Sequence, residues 1–259
     1  MGILNITPDS FSDGGRFVAR EAARSQARAL VAEGAAIVDI GGESTRPGAE
    51  PVSLQQELDR VIPVIEAVRS ELPVVISIDT SKPEVMRAAV AAGAALINDV
   101  RALRAPGALE AAAASSVPVC LMHMQGDPRD MQLRPQYTDV VAEVRAFLVE
   151  RVEACRAAGI SAERILLDPG FGFGKSLDNN LSLLRRLPEL ASVGCPVMVG
   201  LSRKSMIGAL LGLPVDRRQA PSVVLALLAV IAGARIVRVH DVAATVEALH
   251  LWQAVRAAD

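Results

Sequence analysis

Seven residues of this chain share one setting, the end of a short apolar run or the turn just beyond it: Asn5, Asp79, Asn98, Asp168, Lys204, Arg238 and His240. Their types divide into two chemistries. Asp79, Asn98, Asp168 and Lys204 offer acceptors, donors and an ammonium, a set that fits the edge of a flat, nitrogen-rich heterocycle. A buried carboxylate can accept two parallel N–H bonds from an amidine-like group. Asn5, Arg46, Arg238 and His240 instead fit a polyphosphate with a divalent cation, for which Asn5 supplies an amide oxygen. No Ser-His-Asp or Cys-His nucleophile is suggested, so the implied chemistry is displacement of a phosphate leaving group beside a bound ring.

The stretch Ile165 to Lys175 shows this setting best. An Ile/Leu run ends in Asp168, an expensive place for a carboxylate unless a charge or an acceptor is needed there. Pro169 and Gly170 stop the run, and the following glycines let the backbone approach a flat ligand. The stretch is neither a P-loop, which would need Gly at Pro169, nor a dinucleotide fingerprint, which would need Gly at Lys175.

Elements that would bring such residues together are legible along the chain. Apolar runs occur at Gly2 to Asn5, Ile37 to Asp39, Val74 to Asp79, Leu96 to Asn98, Val117 to His123, Ile165 to Asp168, Pro196 to Ser202 and Ile236 to His240. Between them lie stretches with helical apolar spacing, among them Glu21 to Glu33, Ser53 to Ser70, Pro83 to Ala92 and Asp139 to Ala158. Eight strands alternating with helices over 259 residues predict an α/β protein with a (β/α)8 TIM barrel as one domain over residues 1–259. Its site would lie at the C-terminal ends of the strands. The competing architecture is an open doubly wound sheet, but no Gly-x-Gly-x-x-Gly turn follows the first run.

Composition narrows the function classes. A hydrophobic content of 51% suits a substantial core, and a net charge of -2 provides no basic field for nucleic acid. The strongly apolar Val223 to Ala234 is too short to span a bilayer, so no membrane role is expected. Cys120, Cys155 and Cys195 have no metal-like spacing and read as reduced core thiols of a cytoplasmic protein. Lysine occurs only at positions 82, 175 and 204 against a background of arginine. A compact ammonium differs from a guanidinium, and Lys204 is the one expected to carry function.

Several loops add candidates. Phe11 and Asp13 stand in a turn-rich segment after the first run, Phe11 as an isolated aromatic suited to cover a ligand. Thr45, Arg46 and Pro47 follow Gly41-Gly42 and suit an anion or carboxylate, while Asp39 and Glu43 can serve as partners of Arg46. Ser81 is expected to cap the helix that opens at Pro83. Met122 and Met124 can wall a ring or simply fill the core. His123 reads as a hydrogen-bonded strand-end residue rather than a metal ligand, since His240 and His250 show no paired spacing with it. Ser202 is expected to cap the next helix, placing free N–H groups beside Arg203 and Lys204 as a local anion site. Arg238 and His240 alternate onto one face, either to bind an anion or with Arg238 paired to a carboxylate. Thr245 to Ala257 reads as an amphipathic helix carrying Trp252, for outer packing or an oligomer contact.

Taken together, Met1 to Gly15, Gly42 to Gly48, Asp79 to Pro83, Asn98-Asp99, Met122 to Gly126, Asp168 to Lys175, Ser202 to Lys204 and Arg238 to Asp241 resemble the dihydropteroate synthases, folate-pathway transferases inhibited by sulfonamides. The resemblance implies condensation of 7,8-dihydropterin-6-ylmethyl diphosphate with 4-aminobenzoate, with Mg2+ and as a homodimer. It further implies that Asp79, Asn98, Asp168 and Lys204 hold the pterin, with Val100, Met122, Gly172, Phe173 and Gly200 around the ring. Asn5, Arg46, Arg238 and His240 would bind diphosphate, Asn5 also serving the metal. Ser202 would receive the aminobenzoate carboxylate, while Phe11, Asp13, Thr45, Arg46 and Pro47 belong to loops over the second substrate. The implied catalytic set is Asp13, Arg46, Asp79, Asp168 and Lys204. Family members usually carry a short segment before the first strand; here the chain begins at that strand. A pterin-binding methyltransferase barrel would share the acidic contacts but lack Ser44 to Gly48 and Ser202 to Lys204. A catalytically silent paralogue would show altered loop or diphosphate residues.

Overall fold

The computed structural model describes residues 1–6, 15–44, 50–126, 131 and 135–258, with the backbone alone for 15–19. Eight parallel strands form its centre: β1 (Gly2–Asn5), β2 (Ile37–Gly41), β3 (Val75–Asp79), β4 (Leu96–Asp99), β5 (Val119–Met122), β6 (Ile165–Asp168), β7 (Met198–Val199) and β8 (Ile236–Val237). The first six pair in chain order and the last two pair with each other. Single bridges join the two sheets, Leu167 to Val197 at one seam and Gly2 to Val239 at the other. Backbone bonds follow these seams, Leu167 N to Pro196 O at 2.9 Å and Ile3 N to Val239 O at 3.0 Å. The sheet therefore closes on itself as a (β/α)8 barrel, which leaves no strand edge unpaired.

Helices follow each strand. They are α1 (Gly15–Ala32), α2 (Leu54–Glu71), α3 (Pro83–Ala92), α4 (Ala108–Ala114), α5 (Val140–Ala157), α6 (Leu177–Arg185), α7 (Leu187–Ala191), α8 (Ser205–Leu211), α9 (Gln219–Ile231) and α10 (Val242–Ala257). Their starts obey local chemistry. Ser53 and Gln56 form a reciprocal capping box at α2, Asp139 accepts from Val141 N and Ala142 N at α5, and Ser176 accepts from Asn179 N at α6. Pro83 opens α3 as expected, but its cap is Lys82. Ser81 instead donates to the buried Asp99, because a fully desolvated carboxylate binds that hydroxyl more strongly than a helix end would.

Two apolar regions result. The larger one fills the space between sheet and helices, with Leu4, Val38, Ile40, Ile78, Ile97, Leu121 and Leu167 pointing outward from the strands. The strand residues alternating with these face the barrel axis, where Ile3, Leu96, Cys120 and Met198 are buried apart from that core. All three cysteines are free and buried.

Candidate active site

Register places the polar strand ends in one ring. Asn5 pairs with Gly41, Gly41 with Asp79, Asp79 with Asn98, and Met122 with Asp168. A Cβ added at Gly41 would stand 3.7 Å from Asp79 Oδ2 and 3.8 Å from Asn5 Oδ1, so both oxygens border the space the glycine leaves open. Asp79, Asn98 and Asp168 are buried, while Asn5 is exposed at the rim.

Asp168 accepts from Gly170 N at 2.7 Å, and the chain then turns through Gly170, Gly172 and Gly174, all at positive φ. At Gly170 the requirement is absolute: a Cβ would lie 1.9 Å from the His123 carbonyl oxygen. Lys175 fastens this loop from beneath, donating to the carbonyls of Gly170 at 2.9 Å and Phe173 at 3.0 Å and meeting His123 Nδ1 at 2.9 Å. Burial lowers the Lys175 pKa to about 7 and, with Lys175 beside it, that of His123 to about 3. His123 is thus a hydrogen-bonded strand-end residue, and Lys175 a structural clamp. Asn180 completes the loop by accepting from Gly172 N at 2.7 Å.

Above the loop stands Lys204. Its stem crosses Gly172, where an added Cβ would be 3.2 Å from Lys204 Cδ, and its Nζ sits 4.1 Å from the centroid of Phe173. Burial lowers its pKa to about 8, opposed by the charge of Asp168 and aided by Arg238. Phe173 also packs on a second apolar cluster of Val100, Met122, Met124 and Met131. The methionines therefore wall the mouth beside Asp168 and stand apart from the main core. Gly200 adds open space, with nothing within 4 Å of where its Cβ would be.

Arg238 follows β8, the strand paired with β7. Its Nε donates to Asp39 Oδ2 at 2.6 Å and its Nη2 to Asp79 Oδ2 at 2.8 Å. The carboxylate-paired alternative is therefore the one the free protein adopts. Burial works against the Arg238 charge, but Asp39 and Asp79 more than offset it and hold the guanidinium more basic than usual. Asp79 is pushed up to about 7 by burial and by the charges of Asp39, Asp99 and Glu57, with Arg238 opposing. Burial also raises Asp168, against the Gly170 N–H and Lys204.

The expectation for Ser202 needs correction. The helix after β7 begins only at Ser205 and has Lys204 at its cap without a side-chain bond. Ser202 Oγ instead meets His240 Nδ1 at 2.9 Å and accepts from His240 N at 3.2 Å. The cause is Arg203, held at φ 58 by Ser222, which accepts from its N–H at 2.8 Å, and by Asp241 on its guanidinium. That turn delays the helix start by two residues and leaves Arg203 exposed, with Lys204 more buried. Asp39 pairs with Arg238, and Glu43 shares Lys82 with the buried Glu57. Phe11, Asp13, Thr45, Arg46 and Pro47 lie outside the described residues. Sequence reasoning missed the roles of Asp39, Lys175, Asn180 and Arg203. For Asp39 a signal was present, since it lies two residues before Gly41 and so on the same inward face.

Among the described residues no group of three or more His, Cys, Asp or Glu could cage a metal. The exposed Asn5 amide oxygen nevertheless suits a hard cation that takes most of its ligands from phosphate oxygens and water.

The barrel thus carries paired acids and a lysine over an aromatic ring around an apolar-walled mouth. A family model described as pterin binding enzyme matches residues 1–240, and the chain belongs to that family. Within it, the chain is 54% identical over 258 residues to the dihydropteroate synthase of Escherichia coli, covering 100% of this chain and 92% of that one. The solved dihydropteroate synthase of Xanthomonas albilineans with 4-aminobenzoic acid superposes with a TM-score of 0.95 at 58% identity, covering 100% of this chain and 93% of the other. That of Burkholderia cenocepacia complexed with 7,8-dihydropteroate gives 0.90 at 55%, covering 99% and 91%.

Proposed function

We infer that this chain catalyses the dihydropteroate synthase reaction, joining 7,8-dihydropterin-6-ylmethyl diphosphate to 4-aminobenzoate as a folate-pathway transferase. The observation that carries the reading is the mouth itself: two buried acids, Asp79 and Asp168, face an ammonium held over an aromatic ring and a wall of methionines. In the reaction the bond between the pterin methylene carbon and the diphosphate oxygen breaks, and the aromatic amine forms the new C–N bond and gives up a proton.

Asp168 and Asn98 hold the amidine-like edge of the pterin, and Lys204 donates to a ring acceptor. Val100, Met122, Gly172, Phe173 and Gly200 enclose its faces. Asp79 and Asp168 stabilise positive charge as it grows on the ring and methylene, an electrostatic contribution needing no covalent enzyme intermediate. Arg238, His240, Asn5 and Arg46 receive the diphosphate. Ser202, tied to His240, would receive the carboxylate of the second substrate, and Phe11, Asp13, Thr45 and Pro47 are assigned to the same substrate. Magnesium, held through Asn5, would supply neutralisation of the leaving diphosphate.

One barrel domain over residues 1–259 is the proposed unit. A cytoplasmic location goes with this pathway, and among the described residues no helix is long and apolar enough to cross a membrane. A homodimer is proposed on an outward apolar face: Val224, Leu228 and Ile231 of α9 and Leu251 and Val255 of α10 are exposed. The test of function is diphosphate release, which should require both substrates and magnesium. Release with the pterin diphosphate alone would contradict it.

A further inference from the structure

Asp39 lies at the barrel axis, fully buried between its register partners Ile3 and Ser77. A single oxygen of its carboxylate, Oδ2, accepts from Arg238 Nε at 2.6 Å and from Asn98 Nδ2 at 3.2 Å. One of these partners is assigned above to the leaving diphosphate and the other to the pterin edge. Its second oxygen, Oδ1, and the hydroxyl of Ser77 are buried with no hydrogen-bond partner among the described residues. An ion pair in this position is a costly way to hold a barrel together when its surroundings include Ile3, Leu96, Cys120 and Met198. What the carboxylate does accomplish is geometric. Arg238 spans Asp39 and Asp79, so its guanidinium plane is set from both sides. Without Asp39 the guanidinium would be free to swing fully onto Asp79 and occupy the acceptor that the substrate needs.

We propose that Asp39 is a positioning residue for this reaction: by holding the Arg238 guanidinium from below, it aims that group at the diphosphate and keeps it from closing over Asp79. Asp39 touches no reacting atom and acts through Arg238. The proposal rests on the assignment of Arg238 to the diphosphate.

The test is a double-mutant cycle with steady-state kinetics for each substrate, with thermal unfolding run alongside. Asp39→Asn keeps the volume and an acceptor oxygen while removing the charge; it should raise the KM for the pterin diphosphate about tenfold, the scale of a coupled neighbour. The KM for 4-aminobenzoate should stay within about twofold, a split that general loosening of the fold would not give. Arg238→Ala should raise the same KM, and Asp39→Asn added to Arg238→Ala should raise it no further. A folded Asp39→Asn protein with an unchanged KM for the pterin diphosphate overturns the proposal, as does a further rise in the double variant. A wild-type KM in Arg238→Ala would instead overturn the assignment of Arg238, and the proposal with it. Should Asp39→Asn fail to fold, Asp39→Ser, which leaves room for a water acceptor, takes the same readouts.

Discussion

Replacing Lys204 by Met should strengthen the free protein and weaken its hold on the pterin. In the free protein the ammonium has an aromatic face at 4.1 Å and a pKa lowered from 10.5 to about 8, so the fold pays to keep it charged at neutral pH. The unfolded chain binds the proton more tightly, and stability contributed by this group is therefore lowest below pH 8 and rises between pH 8 and 10.5. A shift of that size corresponds to at most about 3 kcal/mol, and the partial exposure of Lys204 to the mouth reduces it to roughly 1–2 kcal/mol. Met keeps the stem over Gly172 and removes the cost, so the thermal midpoint at pH 7 should rise by about 2–4 °C per kcal/mol. On binding, the lost hydrogen bond from a charged donor should cost about 1.5–3 kcal/mol, or roughly 10- to 150-fold in pterin affinity. Calorimetric titration with a pterin and scanning calorimetry on the same samples, at pH 7 and 9.5, measure both halves. In the wild type, affinity should fall as pH passes about 8, while the variant should show no such step. A variant that lost stability and affinity together would show Lys204 to be a packing residue and would refute the reasoning.

The division of labour between pterin and loop residues makes Arg46→Ala the complement: pterin binding should stay nearly intact while turnover falls, as single-turnover and equilibrium measurements would show. Asp79 is raised from 3.8 to about 7, so the stability it contributes is complete below pH 4 and is lost as pH climbs through 7. Asp79→Asn should flatten urea midpoints across that window. Gly170→Ala forces a Cβ to 1.9 Å from a backbone carbonyl at a φ of 69, and a loss of about 3 kcal/mol or more should appear as a drop in urea midpoint. Leu228→Glu, on the exposed face of α9, should convert a dimer to monomers by sedimentation velocity with the fold retained by circular dichroism.

How legible the protein was depends on the range of the interaction concerned. Strand ends such as Asn5, Asp79 and Asp168 could be named from the chain because an apolar run followed by a polar residue and a turn former is a local pattern, and helix starts such as Ser53 and Asp139 are local too. The eightfold alternation carried the barrel, and the lysine scarcity separated Lys204 from the arginine background. Ser81 and Ser202 were misjudged for the opposite reason. Each satisfies a short-range rule for a helix cap, yet each has a partner brought in from elsewhere in the chain, Asp99 at the end of β4 and His240 beyond β8. Arg238 had two readings that only closure of the barrel could separate, since its carboxylates lie 199 and 159 residues away in the chain. Lys175 looked like Lys204 by position and differs because four groups, two from His123 just after β5 and two carbonyls of the glycine loop, surround its ammonium. The sequence by itself determined which residue types stand at the strand ends, because strand alternation and turn chemistry act over a few residues. Tertiary structure alone decided which of those charges is spent on a neighbour and which is left facing the mouth, because burial and Coulomb forces depend on distance in space and not on separation along the chain.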